Sequence, residues 1–532
     1  DFFDLINFTI YLFGKHPDIL KKWQSRLYYI MVDEFQDITV KEFKLIRRLT
    51  EINRNLFVVG DPDQNIYEWR GASMEVLVDF VGWLNNPWFT TRINATCTDV
   101  VLSENYRSAA PILTVANSLI EKNNYRVKKN LYTNKTDGET VQYFHGKSDK
   151  EEIRFICSKI KAHRDSGGKY SDFAVLYRSN FVSRFVEQGF LEANIPYVVY
   201  GGVGFYERAE IKDVLSYMRL VSNSEDDLSF MRIINMPRRK IGKMKLELIK
   251  NHANNRKISL YNALKELCDT ESMGGCKAKE FIAAIEKLKQ DAEVLPVSEL
   301  LQKIIKDTGY ELYIRESGDI ERLDNVTELL RSIVTQETEF GEHLPLVTFL
   351  HNITLLRDSD IEDKTDCVRI MTMHTAKGLE FDSVFLVGLT EGIFPSARAL
   401  EDRKTEALEE ERRLCFVGVT RAKKHLYLTE SEGFGVKGFS KVPSRFLFDI
   451  DPKYLEIIGE IPDEIKEQSA VQVRAFDKIT EVIYKVGDQM MHKVFGEGVI
   501  EVVDEKTKTY MIRFVNGVKP ISFNYGGLSH IF

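Results

Sequence analysis

Short apolar runs alternate with helical stretches along most of this 532-residue chain. Runs of this length are typical of strands buried on both faces, and their alternation with helices predicts a parallel sheet that is covered by helices on each side. We therefore expect an α/β fold with strands near residues 27–32, 55–60, 173–178, 197–200, 368–374, 383–389 and 425–430.

The strand pattern disappears in the middle of the chain. The stretches "EIKDVLSYMRLV" (210–221) and "KAKEFIAAIEKLKQDAEVL" (277–295) carry apolar residues at helical spacing. The alternating pattern then resumes at residue 368. The sequence therefore predicts a helical domain inserted into an α/β domain, with the insertion at 206–365 and the α/β domain at 102–205 and 366–450.

The two ends of the chain have different patterns. Residues 1–101 carry the first two strand-like runs and are assigned to a separate α/β domain. Residues 451–483 show no clear core pattern and more acids than bases, which predicts a linker. From residue 484, short β-rich runs are broken by Gly, Asp and Asn turns, which predicts a small all-β barrel over 484–532.

Composition excludes some classes of protein. The net charge of −7 argues against a generally basic nucleic-acid-binding surface, although a local basic groove is compatible with it because binding depends on the field at the site. None of the six cysteines has C-x-x-C spacing, which favours reduced thiols in a cytoplasmic protein. No apolar run approaches the roughly 18 residues needed to cross a bilayer.

An acidic pair follows the first strand-like run, in "YYIMVDEFQD" (28–37). Residues at the carboxyl end of a strand face the ligand site of an open α/β sheet. There Asp33 is suited to hold Mg²⁺, and Glu34 to accept a proton from an attacking water. The alternative is a pair of solvated acids at a strand end.

The next run ends in "GDPDQNIYEWRGA" (60–72). Gln64 lies where it could sense a γ-phosphate or orient a water. Tyr67, Trp69 and Arg70 follow, and aromatics beside an Arg suit stacking on nucleic-acid bases of any sequence. The alternative for Trp69 is an anchor that holds the loop to the core.

Two further motifs carry arginines that could reach a bound nucleotide. In "LSENYRS" (102–108), Tyr106 could stack on an adenine and Arg107 could reach a phosphate across a cleft. In "VTRAKKHLYL" (419–428), Arg421 precedes a strand. Arginines from a facing domain stabilise the charge of a transferred phosphoryl group, but a lone arginine is more often a surface or salt-bridge residue.

A loop follows the strand-like run at 368–374, in "MTMHTAKGLEFDSVFLVGL" (371–389). His374, Lys377 and Gly378 could approach a DNA backbone or a nucleotide, and Glu380 could accept hydrogen bonds from ribose hydroxyls. The alternative for His374 is a structural role.

A phosphate loop, G-x-x-x-x-G-K-[ST], is missing from this set. The single Gly-Lys-Ser, at 146–148, has Val141 where the first glycine would have to stand. Ser148 and Glu151 instead form an S-x-x-E pattern, which predicts a capping box that opens a helix.

Taken in order, DEFQD, GDPDQNIYEWRGA, ENYRS, MTMHTAKGLEFDSVFLVGLTEGIFPS and EERRLCFVGVTRA resemble motifs II to VI of the UvrD/Rep/PcrA family of superfamily 1 DNA helicases. The resemblance implies two RecA-like motor domains with ATP and Mg²⁺ in the cleft between them. It also implies ATP-driven 3′-to-5′ movement along single-stranded DNA, unwinding at single/double-strand junctions, and a Tudor-like barrel at the C-terminus. In this family that barrel contacts RNA polymerase; a stabilising appendage is the alternative.

The resemblance also implies residue roles. Asp33 would hold Mg²⁺, and Glu34 would be the catalytic base. The other nucleotide contacts would be Gln64, Arg107 and Arg421 at the γ-phosphate, Tyr106 at the adenine, Glu380 at the ribose, and Gly378 nearby. Single-stranded DNA would contact Tyr67, Trp69, Arg70, His374 and Phe446.

A duplex-binding element is implied by "RRKIGKMKLELI" (238–249), which resembles a helix-hairpin-helix-like segment. Its contacts would come from Arg238, Arg239 and Gly242. Lys240 stands where glycine is expected, and a solvated basic turn is the alternative.

The sequence departs from the family pattern before motif II. It opens at the "DFFDL" segment, so we expect an incomplete first motor domain, either truncated or completed by another polypeptide. The main hypothesis is a DNA helicase of repair or replication that needs a phosphate loop for hydrolysis. The alternative is a degenerate, non-motor interaction protein that acts through its barrel. The joint presence of Glu34, Gln64, Arg107 and Arg421 favours the first.

Overall fold

The computed structural model describes residues 2–86, 94–124, 126–135, 138–341, 344–357, 365–402, 405–433, 440–470, 484–492, 496–504, 509–514, 517–522 and 528–530. Its strands are β1 (Ile30–Val32), β2 (Leu56–Val58), β3 (Val141–Gly146), β4 (Phe173–Tyr177), β5 (Tyr197–Val199), β6 (Val368–Thr372), β7 (Phe381–Leu386), β8 (Ala422–Ser431), β9 (Leu455–Ile458), β10 (Gln489–His492), β11 (Gly496–Asp504), β12 (Thr509–Phe514), β13 (Gly517–Ser522) and β14 (Leu528–His530).

Helices occupy much of the remaining chain. They are α1 (Phe2–Lys15), α2 (Pro17–Arg26), α3 (Val40–Thr50), α4 (Met74–Val78), α5 (Phe80–Leu84), α6 (Ala110–Ile120), α7 (Asp149–Asp165), α8 (Ser183–Glu192), α9 (Ala209–Ser222), α10 (Asp227–Ile233), α11 (Lys243–Arg256), α12 (Leu260–Leu267), α13 (Ala278–Ala292), α14 (Val297–Asp307), α15 (Tyr310–Glu316), α16 (Ile320–Phe340), α17 (Leu346–Arg357), α18 (Ala397–Asp402), α19 (Thr405–Val419) and α20 (Arg445–Asp449).

The second α/β domain is built on a seven-stranded sheet in the order β5-β6-β4-β7-β8-β3-β9. Each pair of neighbouring strands is parallel. Apolar clusters pack on both faces of the sheet, and all five residues of the inner strand β4 are buried. The predicted parallel sheet is confirmed, and burial on both faces explains its continuous apolar runs.

Two strands of this sheet lack a continuous apolar run. In β3 the side chains alternate between buried and half-buried, and Gln142 and His145 interrupt the apolar pattern. The short edge strand β9 exposes Glu456 and Ile457. Because β9 pairs with β3, and residues 463–470 are helical, the linker prediction for 451–483 is wrong at its start; residues 471–483 lie outside the described part.

The first α/β domain carries β1 and β2 as a parallel pair. One face of this pair packs on a small cluster that includes the buried Phe35 and Phe43. On the other face, Met31 lies opposite Phe57, and both side chains are exposed.

The helical domain extends from α9 to α17 and is held by one large apolar cluster. It enters the chain between β5 and β6, which are neighbours in the sheet. No strand interrupts the described residues of 206–365, so the predicted helical insertion is confirmed. The insertion leaves and rejoins the second α/β domain at one edge of its sheet.

The C-terminal strands form a separate antiparallel sheet in the order β13-β12-β11-β10-β14. A small core that includes Met490, Tyr510 and Ile512 holds it together. The predicted small all-β unit is confirmed, and its Tudor-like character stays a prediction. Over the described residues, no helix is both long enough and apolar enough to cross a membrane.

Candidate active site

The acidic pair lies directly after β1, at the carboxyl end of the strand. Asp33 and Glu34 are both exposed, and the Glu34 backbone has a left-handed φ of 49°. The Glu34 amide donates to Asp33 Oδ1 over 2.8 Å. Both carboxylates are therefore open to a ligand at the edge of the sheet.

Gln36 holds this segment in place, and sequence reasoning missed it. Its side-chain amide donates to Glu34 Oε2, and its side-chain oxygen accepts from the Asp61 amide over 3.0 Å. A Cβ at Gly60 would lie 2.8 Å from that oxygen, so glycine permits the close approach of the two strand ends. Gln36 thus orients the Glu34 carboxylate through this hydrogen bond.

Gln64 and Arg421 meet across the gap between the two α/β domains. Arg421 Nη2 donates to Gln64 Oε1 over 3.4 Å, and Gln64 Nε2 donates to Asp61 Oδ2 over 2.8 Å. Arg421 is only 1% exposed, and Nε donates to the Val417 carbonyl over 2.9 Å. The sequence predicted that both side chains contact the γ-phosphate of a bound nucleotide. In the structure the two side chains contact each other.

Arg421 is a buried cation. Burial, followed by repulsion from Arg107, lowers the pKa of Arg421 to about 10, so it stays charged at neutral pH. No carboxylate of the described residues forms an ion pair with it. Its partners are carbonyl, amide and hydroxyl oxygens. The carboxylates of Glu34, Asp61 and Glu380 act on it only from beyond ion-pair distance. A buried positive charge without a direct ion pair is a site that an anion would stabilise.

Arg107 and Glu380 pair with each other. Arg107 Nε donates to Glu380 Oε2 over 2.9 Å, and Lys423 Nζ lies 2.9 Å from Glu380 Oε1. Hydrogen bonds from Lys423 and Arg107 lower the pKa of Glu380 to about 2. Gly378, two residues earlier, has a φ of 83°, a conformation that favours glycine. Arg107 and Glu380, which were both predicted to contact the nucleotide, therefore lie side by side at the cleft between the two α/β domains.

Tyr106 lies beside this pair in sequence. Its ring is 76% exposed, and its hydroxyl donates to Glu104 Oε2 over 2.8 Å. The aromatic face is therefore available for stacking, as the sequence predicted for an adenine.

Lys377 crosses from the second domain to the first. Its ammonium forms an ion pair with Asp37 and donates to the Gln64 carbonyl over 3.0 Å. The sequence indicated only that Lys377 approaches DNA or a nucleotide. Its contact with the segment after Glu34 was not anticipated.

Further contacts between the two domains were also missed. Arg413 of α19 donates to the Asn65 carbonyl over 2.8 Å and to Glu68 over 2.6 Å. Arg126 makes a two-bond contact with Asp63, at 3.1 and 2.8 Å. The charge-rich "EEERR" run (409–413) was the available signal for the first of these contacts.

The predicted stacking residues form a cluster in which Trp69 and Arg70 are exposed and Tyr67 and His374 are half-buried. Arg70 lies over the rings of Tyr67 and Trp69, at 5.4 and 4.9 Å from their centroids. Trp69 is 66% exposed, so it does not anchor the loop to the core. The ring of His374 lies 6.3 Å from that of Tyr67. The cluster presents aromatic surface to solvent beside the Gln64 turn.

Two predicted DNA contacts lie inside the protein. Phe446 is 1% exposed and packs edge-on against Phe394, under Arg412. Arg239 is buried, and its guanidinium donates to four backbone carbonyls and to the Tyr217 hydroxyl. These placements argue against a direct DNA contact by either side chain in this conformation.

The neighbours of Arg239 are placed differently. Arg238 and Lys240 are exposed, and Gly242 precedes the first residue of α11. Lys240 has a φ of 60°, which explains why glycine was expected there. The exposed basic side chains of this turn are therefore Arg238 and Lys240.

The Gly-Lys-Ser segment opens a helix, as predicted. The Glu151 amide donates to Ser148 Oγ over 3.3 Å at the start of α7. The Glu151 carboxylate accepts from the Lys147 amide over 2.9 Å. The segment is a helix cap.

The exposed carboxylate of Asp33 is a candidate ligand for a metal ion. Within the described residues, no group of three or more His, Cys, Asp or Glu side chains is arranged to hold a metal ion. Mg²⁺ commonly binds through one or two carboxylates together with water and substrate phosphates. Asp33 fits that mode of binding.

Comparisons with known proteins agree with the motif pattern. The model described as the UvrD/REP helicase N-terminal domain matches residues 1–82, and that of the UvrD-like helicase C-terminal domain matches residues 100–433. The first match starts at residue 1, so it gives no support to the expectation of a missing N-terminal part.

Curated relatives match nearly the whole chain. The ATP-dependent DNA helicase PcrA of Staphylococcus epidermidis (strain ATCC 12228) is 37% identical over 529 residues, which cover 95% of this chain and 70% of that protein. PcrA of Staphylococcus aureus (strain Mu50) is 36% identical over 530 residues, with the same shares of the two chains.

Proposed function

Because this chain belongs to the UvrD/Rep family of helicases, we propose that it is an ATP-dependent DNA helicase that moves 3′ to 5′ along single-stranded DNA. The motor domains are the two α/β domains, and the nucleotide lies in the cleft between them. Energy from hydrolysis is used to move the strand and to separate a duplex ahead of it.

The observation that carries this proposal is the position of Arg421. Its buried guanidinium forms no ion pair with a carboxylate of the described residues and donates across the cleft to Gln64. Arginines supplied from a facing domain stabilise the charge that develops on a transferred phosphoryl group.

Each cleft residue has a role in this proposal. Glu34 accepts a proton from the attacking water, and Gln64 orients that water. Arg421 and Arg107 neutralise phosphate charge, so nucleotide binding requires Arg107 to exchange its contact with Glu380. Lys423 keeps the Glu380 carboxylate paired and aimed at the ribose during this exchange. Tyr106 stacks on the adenine.

The cofactor is ATP with Mg²⁺. Asp33 would hold the ion, which would neutralise phosphate charge when bound. Gly378 allows the backbone to turn beside the nucleotide.

The DNA surface is the cluster of Tyr67, Trp69, Arg70 and His374. Stacking on an aromatic ring, such as that of the exposed Trp69, accepts any base, which suits a motor that moves along any sequence. The basic turn with Arg238 and Lys240, together with the backbone at Gly242, binds duplex phosphate ahead of the junction.

The remaining expectations concern partners and location. We propose a role in DNA repair or replication in the cytoplasm, where free thiols persist; all six cysteines are free. We also propose that the C-terminal sheet is a Tudor-like barrel that contacts RNA polymerase.

Hydrolysis requires a phosphate loop in addition to the residues of this sequence. No G-x-x-x-x-G-K-[ST] pattern occurs in it, and Gly146-Lys147-Ser148 is a helix cap. The same missing pattern is the one observation that favours a non-motor interaction protein.

The first test is Mg²⁺-dependent ATP hydrolysis by this 532-residue chain, with and without single-stranded DNA. The second is the same assay on a loop-completed protein, meaning this chain joined to a phosphate-loop segment from the family. We expect DNA binding by both proteins and DNA-stimulated hydrolysis by the loop-completed protein. A loop-completed protein that binds DNA and nucleotide without hydrolysis would favour the non-motor alternative.

A further inference from the structure

We propose that a groove between α7 and α8 is a docking site for an acidic peptide segment of a partner protein. The groove has a volume of about 380 Å³ and is lined by residues of α7 and of the end of α8. None of these residues belongs to the proposed nucleotide site or to the proposed DNA surface. Docking here is therefore a further function of the second α/β domain, separate from the motor.

The floor of the groove is apolar. Gly189 of α8 packs so closely against Ile153 of α7 that a Cβ on Gly189 would lie 2.1 Å from the Ile153 side chain. The Cys157 thiol donates to the Gly189 carbonyl over 3.8 Å, and burial raises the pKa of this thiol to about 11. A thiol with this pKa stays neutral and packs as a small apolar group. Together with Ala193, these residues provide a site for an apolar side chain.

The rim of the groove is basic. Lys150, Arg154 and Lys161 are exposed and line the groove from α7. Spacings of four and seven residues place the three side chains on one face of that helix. Among the described residues, neither Arg154 nor Lys161 forms an ion pair, and Glu192 is the one acid of the lining. The groove therefore carries an excess of positive charge.

Charge complementarity selects an acidic occupant. The chain has a net charge of −7, so it repels an acidic protein as a whole, whereas the groove attracts one. Charges arranged in this way orient a partner and favour one binding site over others. The carboxylates of the partner would pair with Arg154 and Lys161.

The lining of the groove favours a peptide over a nucleic acid. Proteins that bind single strands combine a basic groove with aromatic side chains on which bases stack. No aromatic side chain occurs among the described residues of this lining. Lys150 and Lys161 are eleven residues apart, which is roughly 17 Å along the helix axis and about the length of five residues of extended peptide. A suitable segment therefore carries one apolar side chain with carboxylates on both sides.

The test uses this 532-residue chain and a fluorescein-labelled peptide in which one leucine is flanked on each side by two glutamates. Binding is measured by fluorescence anisotropy. We expect saturable binding that weakens at least about tenfold in the Arg154→Glu/Lys161→Glu variant, because like charges across an interface oppose binding. Replacing the leucine of the peptide by serine should also weaken binding, because the floor of the groove is then left unfilled.

Matched variants separate the groove from the net charge. Lys21→Glu/Lys22→Glu reverses two exposed lysines of α2 and changes the net charge by the same amount, so peptide binding should change little. Ala193→Leu fills the floor without altering any charge and should weaken binding of the leucine peptide. Circular dichroism confirms that each variant is folded.

Three results would overturn the proposal. The first is the absence of saturable peptide binding by the unsubstituted chain, and the second is an equal loss in the two charge-reversed variants. The third is a loss of single-stranded oligothymidylate binding in Arg154→Glu/Lys161→Glu alone, which would assign the groove to nucleic acid. ATP hydrolysis takes no part in these measurements, so each result leaves the proposed function untouched.

Discussion

Arg421 donates a hydrogen bond from Nη2 to Gln64 Oε1 over 3.4 Å, and this contact joins residues 357 positions apart in the chain. The two side chains belong to different motor domains. A change in the spacing of the domains would therefore change the spacing of the groups that contact the γ-phosphate in our proposal. Domain closure and phosphate recognition depend on the same contact.

Arg421→Met should abolish hydrolysis by the loop-completed protein. Arginines that stabilise the transferred phosphoryl group are worth about 10³–10⁵ in turnover. The measurement is the rate of DNA-stimulated ATP hydrolysis, with Arg54→Met as the control because Arg54 is an exposed arginine of the first domain. Retention of most of the turnover by the Arg421→Met protein would contradict the assignment.

Glu34→Gln should stop hydrolysis in the loop-completed protein while leaving nucleotide binding intact. Glutamine keeps the hydrogen-bonding shape of glutamate but does not accept the proton of the attacking water. Turnover and binding of a fluorescent ATP analogue are measured in parallel. Glu75→Gln, an exposed residue of α4, serves as the control. Normal turnover without the Glu34 carboxylate would remove it from the role of base.

Asp33 and Glu34 could be predicted from sequence because they directly follow a strand. The meeting of Gln64 and Arg421 was implied by the family resemblance and not by a rule on strand ends, because Gln64 follows β2 of one sheet and Arg421 precedes β8 of the other. Gln36 and Lys377 were not assigned their contacts with Glu34 and Asp37, because those contacts depend on tertiary packing that no local pattern specifies. Phe446 was predicted to contact DNA but is buried in this structure. The reason is related, since sequence position does not show which face of a helix is buried.

Trp69→Ala should weaken binding of single-stranded DNA by about 1–3 kcal/mol, the usual contribution of one stacked base. The matched control is Trp23→Ala, which removes a partly exposed tryptophan of α2 outside the proposed DNA surface. Affinities are measured by fluorescence anisotropy on this 532-residue chain. Equal losses in both variants would mean that Trp69 makes no specific contact with DNA.

Arg126→Met should destabilise the contact between the motor domains. The carboxylate of Asp63 is buried. Burial and the charge of Asp61 raise the pKa of this carboxylate, and Arg126 is one of the cations that lower it. Removing one partner of a buried pair costs about 3–5 kcal/mol. The free energy of unfolding is measured in urea by tryptophan fluorescence.

Two controls complete the Arg126 experiment. Arg256→Met, which removes an exposed arginine from its pair with Glu266, should change the free energy of unfolding little. Adding Asp63→Asn to Arg126→Met should recover part of the loss, because the buried charge is then removed. A double variant no more stable than the single one would show that the charge of Asp63 is not the cause.

His374 should make folding less favourable as the solution is acidified. Burial, then repulsion by Arg178, Arg70 and Lys377, lowers the pKa of His374 to about 3. The unfolded chain keeps a histidine pKa of about 6.5, so below that pH the unfolded state binds a proton that the folded state does not. Each pH unit below about 6.5 then costs up to about 1.4 kcal/mol of stability, until the pH nears the folded-state pKa. The free energy of unfolding should therefore fall less steeply between pH 6.5 and pH 5 in the His374→Asn variant, and parallel curves would contradict a neutral, buried imidazole on the DNA surface.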